Sequence, residues 1–267
     1  MRHKPSGVKQ LARRPIALTI AGLDPSGGAG TTADLQVMAA HGLWGVTALT
    51  ALTVQSTQGI RRVAPVEGAL LGETLQCLGD NFGAGPGGIA GVKVGMLATA
   101  GNVGVVAAWL RGSGIPRDRV VLDPVLRSSS GAELLEPDGV SRLIEDLLPA
   151  TGWVTPNVDE LAILSAEPVS AREAVPAAAR KLARQVPGLN IVVTGGHLEP
   201  PDDCLLAAAG QETWFPGKHV DAQGIHGAHG TGCAFSTALL CGLLLGDSPE
   251  EAVRRAKAWV LKRLQGD

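Results

Sequence analysis

Four residues late in the chain, Gly230, Thr231, Gly232 and Cys233, stand immediately before an apolar run that extends from Ala234 to Leu245. The run predicts a helix, and the first N–H groups of a helix have no partners within it. They carry partial positive charge, so an anion placed there is stabilised. Glycines at 230 and 232 would let the backbone approach a phosphate, or a phosphoryl group in transfer, closely. Cys233, in the first turn, would sit in the same field, which lowers a thiol's pKa and suits it to accept a proton at neutral pH. A plainer reading competes with this one: the glycines make a tight helix entry and Cys233 fills a small buried space. The loop lacks the Lys-Ser/Thr ending of the GxxxxGK[ST] phosphate loop.

Groups of this kind need a scaffold, and the chain supplies a regular alternation. Residues 16–21 read as a buried strand, GLDPSGGAG as a glycine-rich turn, and residues 32–40 as a helix stopped at Gly42. Residues 46–54 read as a second strand ended by the turn-like QSTQG, with a helix over 67–81. Strands at 92–94, 120–125, 152–155 and 191–194 then alternate with helices at 102–111, 138–148, 158–165 and within 171–185. A hairpin is expected around 205–215, and helices follow HGTGC and cover 249–264. Such alternation predicts parallel strands joined by crossover helices. Ligands of open α/β sheets bind outside the carboxyl ends of the strands, which is where every candidate residue falls.

Composition narrows the function classes. With 267 residues, 27.3 kDa and 45% hydrophobic content, the chain suits one large core. A single domain over 16–267 is expected, preceded by a polar, disordered extension over 1–15. A net charge of −2 and no long basic run speak against nucleic acid or an anionic membrane as partner. IALTIAG is followed at once by Asp24 and Pro25, unlike a signal peptide, and no apolar run reaches the ~18 residues of a membrane span. A cytoplasmic protein is expected. Cys77, Cys204, Cys233 and Cys241 show no zinc spacing and read as free thiols.

Taken in order, AGLDPSGGAGTTADLQ, KVGML, VLDPV, TPNVDE and HGTGC resemble the hydroxymethylpyrimidine/phosphomethylpyrimidine kinases of thiamine biosynthesis. The resemblance runs from about residue 16 to 264. It implies the ribokinase-like fold, a three-layer αβα sandwich with a mostly parallel central sheet. It also implies ATP and Mg²⁺ as cofactors, a small pyrimidine as substrate and a homodimer. By the same resemblance Gly230, Thr231, Gly232 and Cys233 surround the transferred phosphoryl group, with Cys233 accepting the substrate hydroxyl proton. Gly22, Asp24 and Gly30 border the substrate, Asp34 and Gln55 face the pyrimidine, and Met96 and Val125 form an apolar wall. Asp123, at the end of a buried strand, would help hold Mg²⁺, with Glu160 as a second contact, although Asn157 and Glu160 also have capping-box spacing. Asn157, Thr194 and Gly196 would lie on the nucleotide side, while His197 and His229 shape their loops. Three positions depart from the family pattern. RSSSG, with Arg127, replaces a lysine-bearing segment, Thr194 replaces a lysine, and Ala228 replaces a threonine. The alternatives are pyridoxal kinase activity on the same scaffold, or a pyrimidine-binding regulatory protein without catalysis.

Overall fold

IALTIAGL forms β1 (Ile16–Leu23), whose β-branched and leucine side chains are buried on both faces, as a strand covered on both sides requires. The computed structural model describes residues 14–56, 59–85, 87–128, 131–196, 198–220, 227 and 229–266. In it β1 pairs in parallel with β2 (Trp44–Ser56) on one side and β4 (Ile89–Val94) on the other. Beyond β4 come β5 (Val120–Leu122), β6 (Trp153–Val154) and β7 (Asn190–Val193), all parallel. Antiparallel β3 (Gly59–Pro65) closes one edge against β2, and antiparallel β8 (Asp203–Leu206) and β9 (Glu212–Phe215) close the other. The sheet order is β3-β2-β1-β4-β5-β6-β7-β8-β9.

Two cores flank this sheet, and the alternation of strand side chains decides which residue enters which. Leu18 and Ile20 of β1 and Val92 and Val94 of β4 face α2 (Gly68–Phe82), α3 (Ala100–Gly112), α5 (Val158–Ser165) and α6 (Val175–Gln185). Short α4 (Pro137–Arg142) packs on α3 in the same layer. Ala17, Val121 and Val192 face the other way, onto α1 (Gly30–Ala40), α7 (Thr231–Leu245) and α8 (Pro249–Gln265). Helix α7 lies between the sheet and α8, so Ala234 to Gly242 are all buried and the helix is apolar all round. The three-layer αβα sandwich expected from the sequence is the observed one.

Several local expectations change. Strand β3 escapes the sequence reading because IRRVAP carries two adjacent arginines and an edge-strand proline instead of a clean apolar alternation. Helix α1 starts at Gly30, two residues early, whereas α6 falls within its expected span. The helix expected over 138–148 is α4, then a π-turn at Leu143–Leu147 and a 3₁₀ turn at Leu148–Ala150. The expected extension lies, through residue 13, outside the described residues, as do His197 and Ala228. Among the described residues no helix is long and apolar enough to cross a membrane.

Candidate active site

All the parallel strands end on one rim, and the predicted residues line it: Asp24 after β1, Gln55 on β2, Met96 after β4, Asp123 after β5, Asn157 after β6 and Thr194 after β7. The same alternation that buries Leu18 and Val92 on one face sends their neighbours Thr19 and Lys93 to the face covered by α1 and α7. There Lys93 is fully buried, with its Nζ 3.0 Å from Asp34 Oδ2 and 3.9 Å from Asp123 Oδ2. Asp34 also accepts hydrogen bonds from Thr19 Oγ1 at 2.5 Å and Thr237 Oγ1 at 2.8 Å. Burial alone would depress the Lys93 pKa, and the carboxylates of Asp34 and Asp123 overcome it, so the ammonium keeps its proton.

This corrects the expectation for Asp34. Its carboxylate is 0% exposed and engaged by three side chains, so it is not open to meet a pyrimidine edge. Lys93, which anchors it, was not singled out in the sequence, although a lysine between two valines of a buried strand is a signal, since lysine is almost never buried unpaired.

Asp123 sits above that pair. Ser236 Oγ donates to its Oδ2 at 3.0 Å and the Cys233 thiol also bonds it. Burial, only partly offset by Lys93, raises its pKa. Cys233 lies in the first turn of α7, as expected, but the expected lowering of its pKa is overturned. Burial pushes the thiol up to about 12, Lys93 working against that rise and Asp123 and Asp34 adding to it. Desolvation beside two carboxylates outweighs the helix field, so in the ligand-free protein the group is a neutral thiol.

The loop before α7 divides its two glycines between two tasks. Gly230 is the N-cap, at φ 76°, and a Cβ there would stand 1.8 Å from the Gly28 carbonyl oxygen. Its close approach is therefore to the first glycine-rich turn, not to open ligand space. Gly232 is exposed and a Cβ on it would meet nothing within 4 Å, so space is open beside the first turn of α7. Thr231, between them, is half-buried at the start of α7.

The turn that Gly230 touches folds tightly on itself. Gly30, at φ 58°, would bring a Cβ within 2.3 Å of the Gly22 carbonyl oxygen. Asp24 is buried, and its carboxylate accepts from Ser26 N at 2.8 Å, Ser26 Oγ at 2.7 Å, Ala29 N at 2.8 Å and His229 Nε2 at 2.8 Å. Burial opposes ionisation of Asp24, but the bonds from Ser26, His229 and Ala29 hold its pKa below the usual carboxylate range. Asp24 thus organises the turn from within, its carboxylate taken up by these four bonds.

Farther along the rim lies a small apolar cluster of Ala51, Met96, Ala98 and Leu134, joined by Ile60, Val63 and Val125. Met96 rests on Gly22, where a Cβ would lie 3.3 Å from its Cε. Gln55 alternates with Ala51 and Thr53 along β2 and stands opposite Ile60 of β3, on the face that meets this cluster.

On the opposite side, Asn157 forms a complete capping box for α5: its Oδ1 accepts from Glu160 N and Glu160 Oε2 accepts from Asn157 N, each at 2.9 Å. Glu160 Oε1 reaches Leu126 N at 3.4 Å. Burial and the nearby Asp123 push Glu160 up to about 8. Asn157 bridges Thr194 at the end of β7, and Gly196 is exposed beside it. Gly195 N donates to Asp203 Oδ1 at 2.9 Å, and Lys257 of α8 holds the other Asp203 oxygen at 2.8 Å.

The chain was compared with known proteins. A family model described as phosphomethylpyrimidine kinase matches residues 24–267. The hydroxymethylpyrimidine/phosphomethylpyrimidine kinase of Aquifex aeolicus is 34% identical over 94% of this chain and 94% of its own length, and that of Rhizobium meliloti 34% over 92% and 88%. A thiamine biosynthesis multifunctional protein of Corynebacterium efficiens is 37% identical over 95% of this chain, which spans only 33% of that relative. In three dimensions a phosphomethylpyrimidine kinase of Clostridium difficile superposes with TM-score 0.79 at 26% identity, covering 93% of this chain and 99% of that one. A pyridoxal kinase of Staphylococcus aureus, in complex with pyridoxal, gives 0.79 at 27%, over 93% and 86%. By sequence and by fold, the chain belongs to the phosphomethylpyrimidine kinase family.

Proposed function

We propose that residues 16–267 act as one kinase domain that uses ATP to phosphorylate the hydroxymethyl group of 4-amino-5-hydroxymethyl-2-methylpyrimidine and then its monophosphate to the diphosphate. The observation that carries this reading is the meeting of Cys233 and Asp123 at the first turn of α7, beside the open space at Gly232. Phosphoryl transfer needs mainly positioning and charge stabilisation, and that arrangement offers both.

The pyrimidine would lie against Gly22, Met96 and Val125, with the Gln55 amide offering a donor and an acceptor to its aminopyrimidine edge. Its hydroxyl would point to Cys233. Since the thiol is neutral in the free protein, Cys233 would first pass its own proton to the Asp123 carboxylate it is bonded to, and as a thiolate would then take the substrate hydroxyl proton. The amides of Thr231, Gly232 and Cys233 would bind the transferred phosphoryl oxygens. Asn157, Thr194 and Gly196 would border the nucleotide.

Magnesium fits the donor set. Asp123 and Glu160 are buried oxygen donors, both with raised pKa, and the Glu160 carboxyl accepts from the backbone N–H groups of Asn157 and Leu126. Mg²⁺ typically takes one or two carboxylates and completes its shell with water and phosphate oxygens. No group of three or more His, Cys, Asp or Glu among the described residues could hold a metal without such help. When bound, the ion would neutralise charge on the phosphates, with Asp123 as its near ligand and Glu160 acting through water.

A cytoplasmic homodimer completes the proposal. The outer face of the β2–β3 hairpin exposes Leu52 and Val54, apolar side chains that a second copy would cover. A second reading, pyridoxal phosphorylation, is favoured by the equal superposition on the pyridoxal kinase. The test is ADP release by the purified protein with Mg²⁺ and ATP, offered hydroxymethylpyrimidine, its monophosphate and pyridoxal in parallel. Turnover on pyrimidines that collapses in Cys233→Ala is expected. Turnover on pyridoxal alone would replace the substrate. Binding without turnover would make the chain a pyrimidine-binding protein.

A further inference from the structure

A long-range contact in the site joins His229 to Asp24, 205 positions apart in sequence. Their 2.8 Å bond runs from Nε2 to Oδ2, and because a carboxylate can only accept, Nε2 carries the proton. Two further contacts bind the same pair of loops: the Gly30 N–H donates to the Cys233 sulfur, and Gly230 packs on the Gly28 carbonyl. That carbonyl also accepts from Arg263 Nη2 of α8 at 2.6 Å. The turn from Asp24 to Gly30 and the loop from His229 to Cys233 are therefore tied at three points.

We infer that His229 is a positioning residue for phosphoryl transfer: through Asp24 it fixes the distance between the substrate-side turn and the phosphoryl-side loop. The inference rests on the kinase reading above, in which one loop borders the acceptor and the other binds the transferred group. Asp24 is the natural hub. Its other three bonds shape the turn, so the fourth transmits that shape to the 229–233 loop. A clamp of this kind acts on the approach of two already bound groups. Its loss should lower kcat and leave each binding step nearly intact, because a misplacement near 1 Å costs up to about 100-fold in rate.

The experiment compares His229→Ala, His229→Gln, Asp24→Asn and the double variant His229→Ala/Asp24→Asn. Steady-state kcat and KM are measured for ATP and for the pyrimidine, and thermal unfolding confirms that each variant is folded. His229→Ala should lose about 10- to 100-fold in kcat with both KM values within about threefold. His229→Gln, whose amide can still donate, should recover several-fold of the loss. The double variant should be no worse than the worse single one. A folded His229→Ala within twofold of wild-type kcat overturns the inference, as do independent, multiplying effects in the double variant. A second arm needs no turnover: amide hydrogen exchange across residues 24–30 should accelerate in ligand-free His229→Ala and return towards wild type in His229→Gln. Unchanged exchange overturns the clamp. A wild type that phosphorylates none of the substrates would sink the assigned reaction, while the exchange arm still decides whether the loops are joined.

Discussion

At the α7 end of the rim, Asp34, Lys93, Asp123 and Cys233 each have two or more polar or charged partners, and water is largely excluded. At the β2–β3 end the walls are aliphatic and thioether side chains on a hairpin whose outer face, Leu52 and Val54, is half exposed. In the first region, replacing Asp34, Lys93 or Asp123 would strand a buried charge. The second can change shape at little cost, because Met and branched aliphatic side chains repack readily. In the reading proposed above, chemistry would be held by the tightly bonded end and recognition by the adaptable one, which would account physically for a scaffold shared by phosphomethylpyrimidine and pyridoxal kinases.

The contrast breaks first at Cys233. Replacing it with Ala should lower kcat by about 100- to 10,000-fold, the range lost with a positioned proton acceptor, while urea unfolding stays close to wild type. Equal turnover by the variant would move the proton to another group. Next is Lys93→Met, which strands Asp34. Urea unfolding should show a loss of about 3–5 kcal/mol, as when one member of a buried pair is removed.

Neither position was equally legible in the sequence. Cys233 was placed at the right turn of the right helix from the glycines and the apolar run, but its protonation state was not, because burial between Asp123 and Asp34 is a property of three distant segments. Asp34 was misread for a related reason: α1 carries apolar residues on several faces, so its pattern did not say which face met α7. The strand-exit placement of Asp24, Gln55, Asp123 and Thr194 followed from alternation alone and matches the rim. Strand β3 did not, since its arginines mask the period.

A pH experiment sharpens the contrast. Glu160 keeps its proton to about pH 8 in the folded chain against an ordinary value of 4.5. A carboxyl raised on folding contributes stability that is fully present below 4.5 and lost as pH climbs towards 8. In metal-free buffer the wild type should lose on the order of a few kcal/mol across that window, and Glu160→Gln should lose less. Parallel pH curves for the two proteins would reject the burial account.

The recognition end should respond least in stability. Gln55→Ala is expected to raise the KM for the pyrimidine up to about tenfold, the worth of one hydrogen bond, with unfolding changed by less than about 0.5 kcal/mol. A large loss of stability there would mean that the hairpin is as rigid as the α7 end.

The partners that complete the site share one property: they come late. His229 for Asp24, Ser236 for Asp123, Thr237 for Asp34 and Arg263 for the Gly28 carbonyl all lie in the final stretch of chain, after every strand of the sheet. During synthesis the ribosome therefore releases a complete sheet whose Lys93 and Asp34 still lack the helix that covers them. Such a nascent chain holds charged groups on an uncovered apolar face, a state prone to wrong contacts until α7 and α8 emerge. Catalytic competence and protection from aggregation would then arrive in a single, last folding event.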